Sequence, residues 1–193
     1  MGDAREQPQT FAQRLRRLPG FPEELPVLSE SDLPENPNRL FLTWLDDAIH
    51  SGARQPHAAS LVTARSDGTP VARILILKDI DAQGYHFAGA RHSRKGVELA
   101  GNPRASLLFF WREFGRQVRV TGSVTMLDEE ASRADWEARP NYTGVLNPHW
   151  QRYALLPDEF EFMQAAEDRN HSRFEYLPEG TGWMHRPVRT PGG

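Results

Sequence analysis

Residues 73–122 constrain the fold most strongly, because short apolar runs alternate there with turn signals and a single helix signal. Arg73-Ile-Leu-Ile-Leu-Lys78 predicts a strand with a cation at each end. Ser93 is a suitable N-cap for a helix that continues to Ala100, and residues 116–127 predict a later strand that carries several polar side chains. Apolar strands interrupted this regularly by arginine and lysine indicate a barrel wall that holds an anion.

The pattern over the rest of the chain predicts further strands and flanking helices. Strands are predicted over 58–65, 70–80, 85–90, 105–114, 116–127, 158–164, 174–176 and 183–188. Helices are predicted over 10–18, 39–51 (with Asn38 as the N-cap), 93–100 and 129–138. Short antiparallel strands interrupted by one short helix favour a closed or split barrel over a sandwich. The expected fold class is therefore mainly β with flanking helices (α+β).

The sequence divides into an N-terminal arm and one folded domain. Residues 19–38 contain five prolines and several acidic residues, which predicts an extended segment. We expect residues 1–37 to form an extended, partly disordered arm, either packed on a partner subunit or mobile. Residues 38–193 are expected to form a single split-barrel domain, and the polar ends of the chain to fray.

Composition limits the classes of function. The net charge of −3 gives no general argument for binding nucleic acid or a membrane, so a basic site has to be local. The absence of cysteine excludes disulfides, thiolate metal sites and cysteine nucleophiles. No apolar run approaches the length of a membrane span, and the first residues lack a signal-peptide core, so a cytoplasmic protein is expected. The seven histidines show no pair spacing that predicts a metal site.

Two basic groups and one glutamine are the candidate binding residues. Arg73 and Lys78, five apart on the predicted strand, either face a ligand or pair with acidic residues, because an unpaired buried charge is costly. Ser93, Arg94 and Lys95 add a hydroxyl and two cations to a helix N-terminus, which indicates a phosphate site. Gln117 either contacts a heterocycle or bonds to a neighbouring strand. Among smaller residues, Gly89 and Gly96 would let the backbone approach a bulky anion.

Four long motifs follow one another in the chain. They are Arg-Ile-Leu-Ile-Leu-Lys-Asp-Ile-Asp-x-x-Gly, Ser-Arg-Lys-Gly, Asn-Pro-Arg-Ala-Ser-Leu-Leu-Phe-Phe-Trp and Arg-Gln-Val-Arg-Val-Thr-Gly. In order and spacing they resemble the pyridoxine (pyridoxamine) 5′-phosphate oxidase family, closely over residues 38–122 and more weakly near the C-terminus. The resemblance implies an FMN-binding split barrel that works as a homodimer, with FMN at the subunit interface.

The resemblance also implies which residues hold the cofactor. Arg73 would meet the FMN phosphate with Arg94 and Lys95, and Gln117 would contact the flavin from the other subunit. Met163 stands where the family has a tryptophan near the flavin. The full set of expected cofactor contacts is Arg73, Ile74, Leu75, Ile76, Lys78, Ala88, Gly89, Ser93, Arg94, Lys95, Gln117, Met163 and Arg173.

The substrate side departs from the family pattern. Arg169 and His171 match the family's substrate-facing pair and are the expected catalytic residues. Lys78, Arg139 and Thr143 match positions that contact the substrate phosphate, but Asp135 replaces a tyrosine there, and a carboxylate beside a phosphate is repulsive. The sequence after Thr143 also lacks a longer segment, including a Gln-Ser pair, that the family usually has.

Three functions remain open from the sequence. The first is an FMN-dependent oxidase of a specialised pathway, similar to phenazine-pathway members, that oxidises an amine or a dihydro ring with O2 as acceptor. The second is a genuine pyridoxamine/pyridoxine 5′-phosphate oxidase. The third is a flavin-, haem- or deazaflavin-binding barrel without oxidase activity.

Overall fold

The computed structural model describes residues 9–188, and these residues form nine strands and four α-helices. The helices are α1 (Phe11–Leu15), α2 (Pro37–His50), α3 (Arg94–Gly101) and α4 (Glu129–Glu137). The strands are β1 (Ala58–Ala64), β2 (Pro70–Ile76), β3 (Asp79–Asp81), β4 (Gly84–Ala90), β5 (Arg104–Trp111), β6 (Arg116–Met126), β7 (Trp150–Gln164), β8 (Ser172–Glu179) and β9 (Gly182–Pro187). Short 3₁₀ turns lie at Glu30–Asp32 and Arg112–Phe114.

The strands form one antiparallel sheet in which β7 is shared between two halves. The order along the main path is β2-β1-β5-β6-β7-β4-β3, and β8 and β9 branch from β7. One edge of β7 pairs with β6 along most of its length. Its other edge pairs with β4 in the first part and with β8 in the last part. This divided pairing confirms the predicted α+β split barrel.

A bulge marks the point where β7 changes partner. The register with β6 shifts between Thr121 and Gly122, opposite Pro157. Proline has no N–H to donate to a ladder, so a strand bends most readily there. A side chain at Gly122 would overlap the carbonyl of Leu156, which explains the glycine at this close approach. The sequence prediction of a strand over 158–164 was therefore too short, since the strand continues through Pro157 back to Trp150.

The predicted strand over 70–80 is interrupted, which corrects the prediction of one continuous strand from Arg73 to Lys78. The N–H of Leu77 still bonds to the carbonyl of His57 before β1, but the N–H of Lys78 bonds to the carbonyl of His86 in β4. The chain thus leaves one sheet edge and joins the other at this corner. Because Arg73 lies on β2 and Lys78 lies in the link between β2 and β3, alternation along a single strand does not determine their directions.

Helix α2 fills the barrel with aromatic side chains. Phe41 and Trp44 are buried and pack edge-to-face against Tyr85, Phe109 and Phe162. The helix begins earlier than predicted, because Asn36 rather than Asn38 is the N-cap and Pro37 occupies the first turn. Proline suits that position, where its missing N–H has no intrahelical partner.

Asn38 has a different role. Its side chain accepts a hydrogen bond from the hydroxyl of Tyr85 at 2.8 Å. Burial raises the pKa of this tyrosine well above its ordinary value. The bond therefore ties α2 to β4 inside the core.

The N-terminal arm from residue 9 contacts its own barrel at several points. Leu28 is buried in the core, and the carbonyl of Pro34 accepts a hydrogen bond from Tyr176 at 2.9 Å. Helix α1 is shorter than the predicted 10–18 and buries no residue, although Thr10 caps it. An arm of residues 1–37 stays a prediction, and residues 1–8 and 189–193 lie outside the described part.

The other boundaries differ by a few residues. Strand β5 ends at Trp111 rather than 114, because a 3₁₀ turn and Gly115 at φ 59° reverse the chain. Ser93 caps α3 as predicted, through a bond from the N–H of Gly96. Within residues 9–188, no helix is both long and apolar enough to cross a lipid bilayer.

Candidate cofactor and substrate site

The N-terminus of α3 presents two cations, as the sequence predicts. Ser93 Oγ donates to the carbonyl of Ala90 at 2.6 Å and accepts from Lys95 Nζ at 3.2 Å. Arg94 is exposed, and within residues 9–188 no carboxylate lies within 4.0 Å of Arg94 or Lys95. Burial, reinforced by the nearby charge of Arg73, lowers the pKa of Lys95. A partly buried ammonium without a counterion favours binding of an anion.

Gly89 provides the space for this lysine. A Cβ at position 89 would overlap Nζ of Lys95, so the missing side chain gives the ammonium its place. Gly96 has a different use, because a Cβ there would overlap the backbone carbonyl of Arg91. We call Gly89, Ser93, Arg94 and Lys95 the α3 cradle. Its chemistry suits a phosphate group, which is the part of FMN that the sequence assigns to it.

Arg73 lies beside the α3 cradle but is paired with acidic and hydroxyl groups. Its Nη2 donates to Glu98 Oε2 at 2.6 Å, and its Nη1 donates to Thr63 Oγ1. Thr63 Oγ1 donates in turn to the same Glu98 oxygen at 2.6 Å. Arg73 was predicted either to face a ligand or to pair with an acidic residue, and in the structure it pairs with Glu98. Its positive charge still contributes to lowering the pKa of Lys95. Glu98 is a member of the site that sequence reasoning missed.

A cavity of about 790 Å³ opens on the outer side of α3. Arg65, His92, Arg94 and Glu98 line it, together with apolar parts of Val97 and Ala64. Its size and its mixed lining suit a bound small molecule.

Lys78 and Asp135 form the second group of site residues. Lys78 Nζ lies 3.6 Å from Asp135 Oδ1, and Trp150 Nε1 donates to Asp135 Oδ2 at 2.8 Å. Asp135 is 8% exposed. The guanidinium of Arg139 lies 4.6 Å from the ring of Trp150 and 4.8 Å from that of Trp136. We call Lys78, Asp135, Arg139 and Trp150 the Asp135 cluster.

Thr143 lies in the loop between α4 and β7 and is exposed. Trp136 Nε1 donates to the carbonyl of Val145 at 2.8 Å and fastens this loop to α4. At the end of the loop, His149 Nδ1 lies 3.2 Å from Nε2 of His92, the residue just before Ser93. This histidine contact links the Asp135 cluster to the α3 cradle, and nothing in the sequence spacing indicated it.

The remaining cofactor candidates divide between the first strands and the far end of β7. Ile74 is 68% exposed on β2, while Leu75, Ile76 and Ala88 are partly buried. Gln117 on β6 is directly opposite Met163 on β7, and Met163 is opposite Arg173 on β8. Arg173 donates to Glu161 at 2.9 Å. We call Gln117, Met163, Arg169, His171 and Arg173 the distal group.

The expected catalytic pair lies in the turn between β7 and β8. Arg169 is exposed and adopts a positive φ of 67°, an uncommon conformation for a residue with a side chain. The N–H of Ala166 donates to Nδ1 of His171 at 3.0 Å, so the neutral ring carries its proton on Nε2. Phe21 from the N-terminal arm packs edge-to-face on His171 with ring centres 6.2 Å apart.

Within one chain, the distal group is far from the Asp135 cluster. Trp150 begins β7 and Gln164 ends it, and the strand has 15 residues. A straight strand of this length would span on the order of 45 Å, and the bulge near Pro157 shortens that distance. The two predicted halves of the substrate site therefore lie at opposite ends of β7 within one subunit.

A cluster of Asp79, Asp81 and His86 was also missed by the sequence reasoning. Their ligand atoms lie within 4.8 Å of one another, and His86 is 2% exposed. Nη2 of Arg152 lies 2.8 Å from Nδ1 of His86 and 3.0 Å from Asp79. A guanidinium can only donate, so Nδ1 accepts and Nε2 carries the proton; Nε2 lies 2.9 Å from Asp81 Oδ1 but is not aligned for a hydrogen bond. Arg152 therefore occupies the one lone pair of this imidazole tautomer, which leaves none for a metal.

The comparisons with known families agree with the fold. A family model described as "Pyridoxamine 5'-phosphate oxidase" matches residues 45–168. A second model, "Pyridoxine 5'-phosphate oxidase C-terminal dimerisation region", matches residues 150–187, which include most of the distal group. The pyridoxine/pyridoxamine 5′-phosphate oxidase of Cupriavidus taiwanensis is 37% identical over 83% of this chain and 92% of its own length.

Two solved structures are similar over most of the chain. PhzG from Burkholderia lata 383, solved in complex with tetrahydrophenazine-1-carboxylic acid, has a TM-score of 0.78 at 30% identity, covering 86% of this chain and 99% of its own. An FMN-binding protein related to pyridoxamine 5′-phosphate oxidase from Nostoc punctiforme PCC 73102 has a TM-score of 0.67 at 15% identity, covering 80% and 97%. The latter supports the fold alone.

The divided sheet and these matches define a split-barrel protein of the oxidoreductase class. The chain belongs to the pyridoxamine 5′-phosphate oxidase family. The resemblance seen in the sequence motifs is confirmed.

Proposed function

We propose that the protein is a homodimeric, FMN-dependent oxidase that acts on an amine or a partly reduced ring in a specialised pathway. The observation that carries the proposal is the pair of cations in the α3 cradle, which have no carboxylate partner among residues 9–188 and lie at the capped end of a helix. Helix N-termini attract anions through free N–H groups and the helix dipole. An FMN phosphate meets these requirements.

The chain's residues would hold and orient the cofactor. Arg94 and Lys95 would bind the phosphate. Arg73, which is bonded to Glu98, would add positive charge near the phosphate. When bound, FMN supplies the redox chemistry, taking two electrons from a carbon next to nitrogen or in a reduced ring and passing them to O2 as H2O2. Gln117 would offer its amide to the ring from the partner subunit. Ile74, which is exposed in one chain, would be covered in the complex.

The dimer would complete the substrate site. Arg169 and His171 of one subunit would face Lys78 and Arg139 of the other, because these pairs lie at opposite ends of β7 within a chain. The match of residues 150–187 to a dimerisation region supports this assembly. His171 would present its Nε2–H to the substrate, since Nδ1 is occupied by the N–H of Ala166.

The substrate side favours a specialised reaction. Asp135 stands at the position of a phosphate-contacting tyrosine, and the loop after Thr143 is short. The similarity to PhzG, solved with a tetrahydrophenazine carboxylic acid, supports a reduced-ring substrate. Oxidation of pyridoxamine 5′-phosphate is the second candidate, favoured by the names of the relatives that are 33–37% identical.

The test begins with the cofactor. The purified protein is expected to be yellow and to bind FMN, whereas Arg94→Ala and Lys95→Ala should each weaken FMN binding by at least about tenfold. Arg112→Ala, an exposed cation outside the cradle, is the matched control and should bind FMN normally. A colourless protein that takes up no FMN would contradict both oxidase candidates. The third candidate, a cofactor-binding barrel without oxidase activity, would then remain. An H2O2-coupled screen of amines, dihydroaromatics and pyridoxamine 5′-phosphate then separates the two oxidases.

A further inference from the structure

The Asp135 cluster has a different charge balance from a phosphate site. The ammonium of Lys78 lies 3.6 Å from Asp135 Oδ1, so the charge of the lysine is largely compensated within the chain. Asp135 cannot easily turn away, because Oδ2 accepts a hydrogen bond from Trp150 Nε1 at 2.8 Å and the residue is only 8% exposed. The carboxylate is therefore a fixed negative charge in this part of the site.

Arg139 is the remaining cation of the cluster. Within residues 9–188 it has no carboxylate within 4.0 Å, and its guanidinium rests against the rings of Trp136 and Trp150. Stacking on aromatic rings holds the plane of a guanidinium while leaving its edge free to donate. The two N–H groups on that edge can donate two parallel hydrogen bonds to the two oxygens of a carboxylate.

We propose that the protein selects a substrate whose anionic group is a carboxylate, bound by Arg139, and that Asp135 excludes phosphorylated substrates. A phosphate monoester carries a charge of about −1.5 to −2 at pH 7. The cluster carries a net charge of +1, from two cations and one carboxylate. One net positive charge compensates a carboxylate but leaves a phosphate dianion with uncompensated charge in a partly buried site, where desolvation is costly. The proposal rests on the proposed function, since it assigns the anionic end of that enzyme's substrate.

The experiment compares two probes that share a ring and differ in charge. Binding of 1-naphthoate and 1-naphthyl phosphate to the FMN-loaded protein is measured by calorimetry. The wild type is expected to bind 1-naphthoate about tenfold more tightly than 1-naphthyl phosphate, because Asp135 offsets one of the two cations while the cost of desolvating an anion rises steeply with its charge. Equal or tighter binding of the phosphate would overturn the proposal.

The Asp135→Asn variant tests the cause. Asparagine keeps an oxygen for Trp150 but removes the charge. Since the Coulomb energy is proportional to ligand charge, binding of 1-naphthyl phosphate should strengthen about tenfold and that of 1-naphthoate only about threefold. Glu137→Gln, which removes an exposed charge from the same helix, is the control and should leave the ratio unchanged. An unchanged ratio in Asp135→Asn would also overturn the proposal.

A further arm separates this proposal from the cofactor assignment. The same titrations are made on FMN-free protein carrying Arg94→Ala, so that the phosphate probe cannot bind in the α3 cradle instead. A carboxylate preference there supports the role of Asp135 even if FMN is not the cofactor. If Asp135→Asn fails to fold, the ratio of the affinities of 1-naphthoate and 1-naphthyl phosphate in the protein with native Asp135 still tests the proposal.

Discussion

Glu98 Oε2 accepts hydrogen bonds from both Arg73 Nη2 and Thr63 Oγ1, each at 2.6 Å. An arginine that the motifs assign to a phosphate is thus already held by a carboxylate on α3. The carboxylate fixes the direction of the guanidinium but also opposes the charge of an incoming anion.

Replacing Glu98 with glutamine should therefore tighten FMN binding. Glutamine keeps an oxygen that accepts from Arg73 and Thr63, but the negative charge beside the α3 cradle is lost. We expect the dissociation constant for FMN to fall about three- to tenfold, measured by quenching of FMN fluorescence. Glu113→Gln, an exposed carboxylate away from α3, should have no effect. Weaker FMN binding in Glu98→Gln would mean that the ion pair is needed intact.

The ion pair between Arg73 and Glu98 should make the free energy of unfolding depend on pH. The hydrogen bond from Thr63, followed by the bond and charge of Arg73, holds the pKa of Glu98 below its ordinary value of 4.5, although burial opposes this. A depressed pKa means that the folded state favours the ionised carboxyl, so the stabilisation exists above pH 4.5 and is lost as the pH falls further. Urea unfolding should show wild type more stable than Glu98→Gln at pH 7, with the difference shrinking below pH 4.5. A constant difference would contradict this.

Gly89 and Gly96 allow a matched comparison between a binding and a structural glycine. In Gly89→Ala the new methyl group meets the end of a flexible lysine, so stability should change by less than about 1 kcal/mol while FMN binding weakens. In Gly96→Ala the methyl group meets the rigid carbonyl of Arg91, and we expect a loss of about 2–3 kcal/mol. Thermal unfolding and FMN titration of both variants check this. Similar stabilities for the two variants would show that the space at Gly96 is not required.

Mixed dimers test whether the substrate site combines two subunits. Arg139→Ala and Arg169→Ala should each be inactive alone, because each removes one half of every site. Co-expression at equal levels should restore about a quarter of wild-type activity, since half of the dimers are mixed and each mixed dimer has one intact site of two. If both residues belonged to a site within one chain, the mixture would stay inactive. Differently tagged chains allow the mixed dimer to be purified and assayed directly.

The sequence predicted the elements better than their connections. The apolar periods indicated the helices and most strands, and Ser93 was correctly placed as the cap of α3. The break of the predicted strand at Leu77 was not visible, because residues 73–78 read as one apolar run while their hydrogen-bond partners change from His57 to His86. The continuation of β7 through Pro157 was missed for a related reason, since proline ordinarily argues against a strand interior.

The α3 cradle was predictable because its residues are neighbours in the chain. Ser93, Arg94 and Lys95 follow one another, and a helix N-terminus is a local structure with a known preference for anions. The partners of Arg73 and Lys78 were not predictable, because Glu98 and Asp135 are distant in sequence and reach them only through packing of α3 and α4 on the sheet. The roles of the individual site residues stay predictions for the experiments above.

By itself, the sequence determined the α+β class, the family and the cationic, capped start of α3, since apolar period, motif order and helix capping are local properties of the chain. Only the tertiary structure decided which charges are compensated. Lys78 meets Asp135 at a corner where the sheet changes edge, and Arg139 meets Trp150 where α4 packs on β7. It also placed the distal group and the Asp135 cluster at opposite ends of β7, because Trp150 begins that strand and Met163 lies near its end.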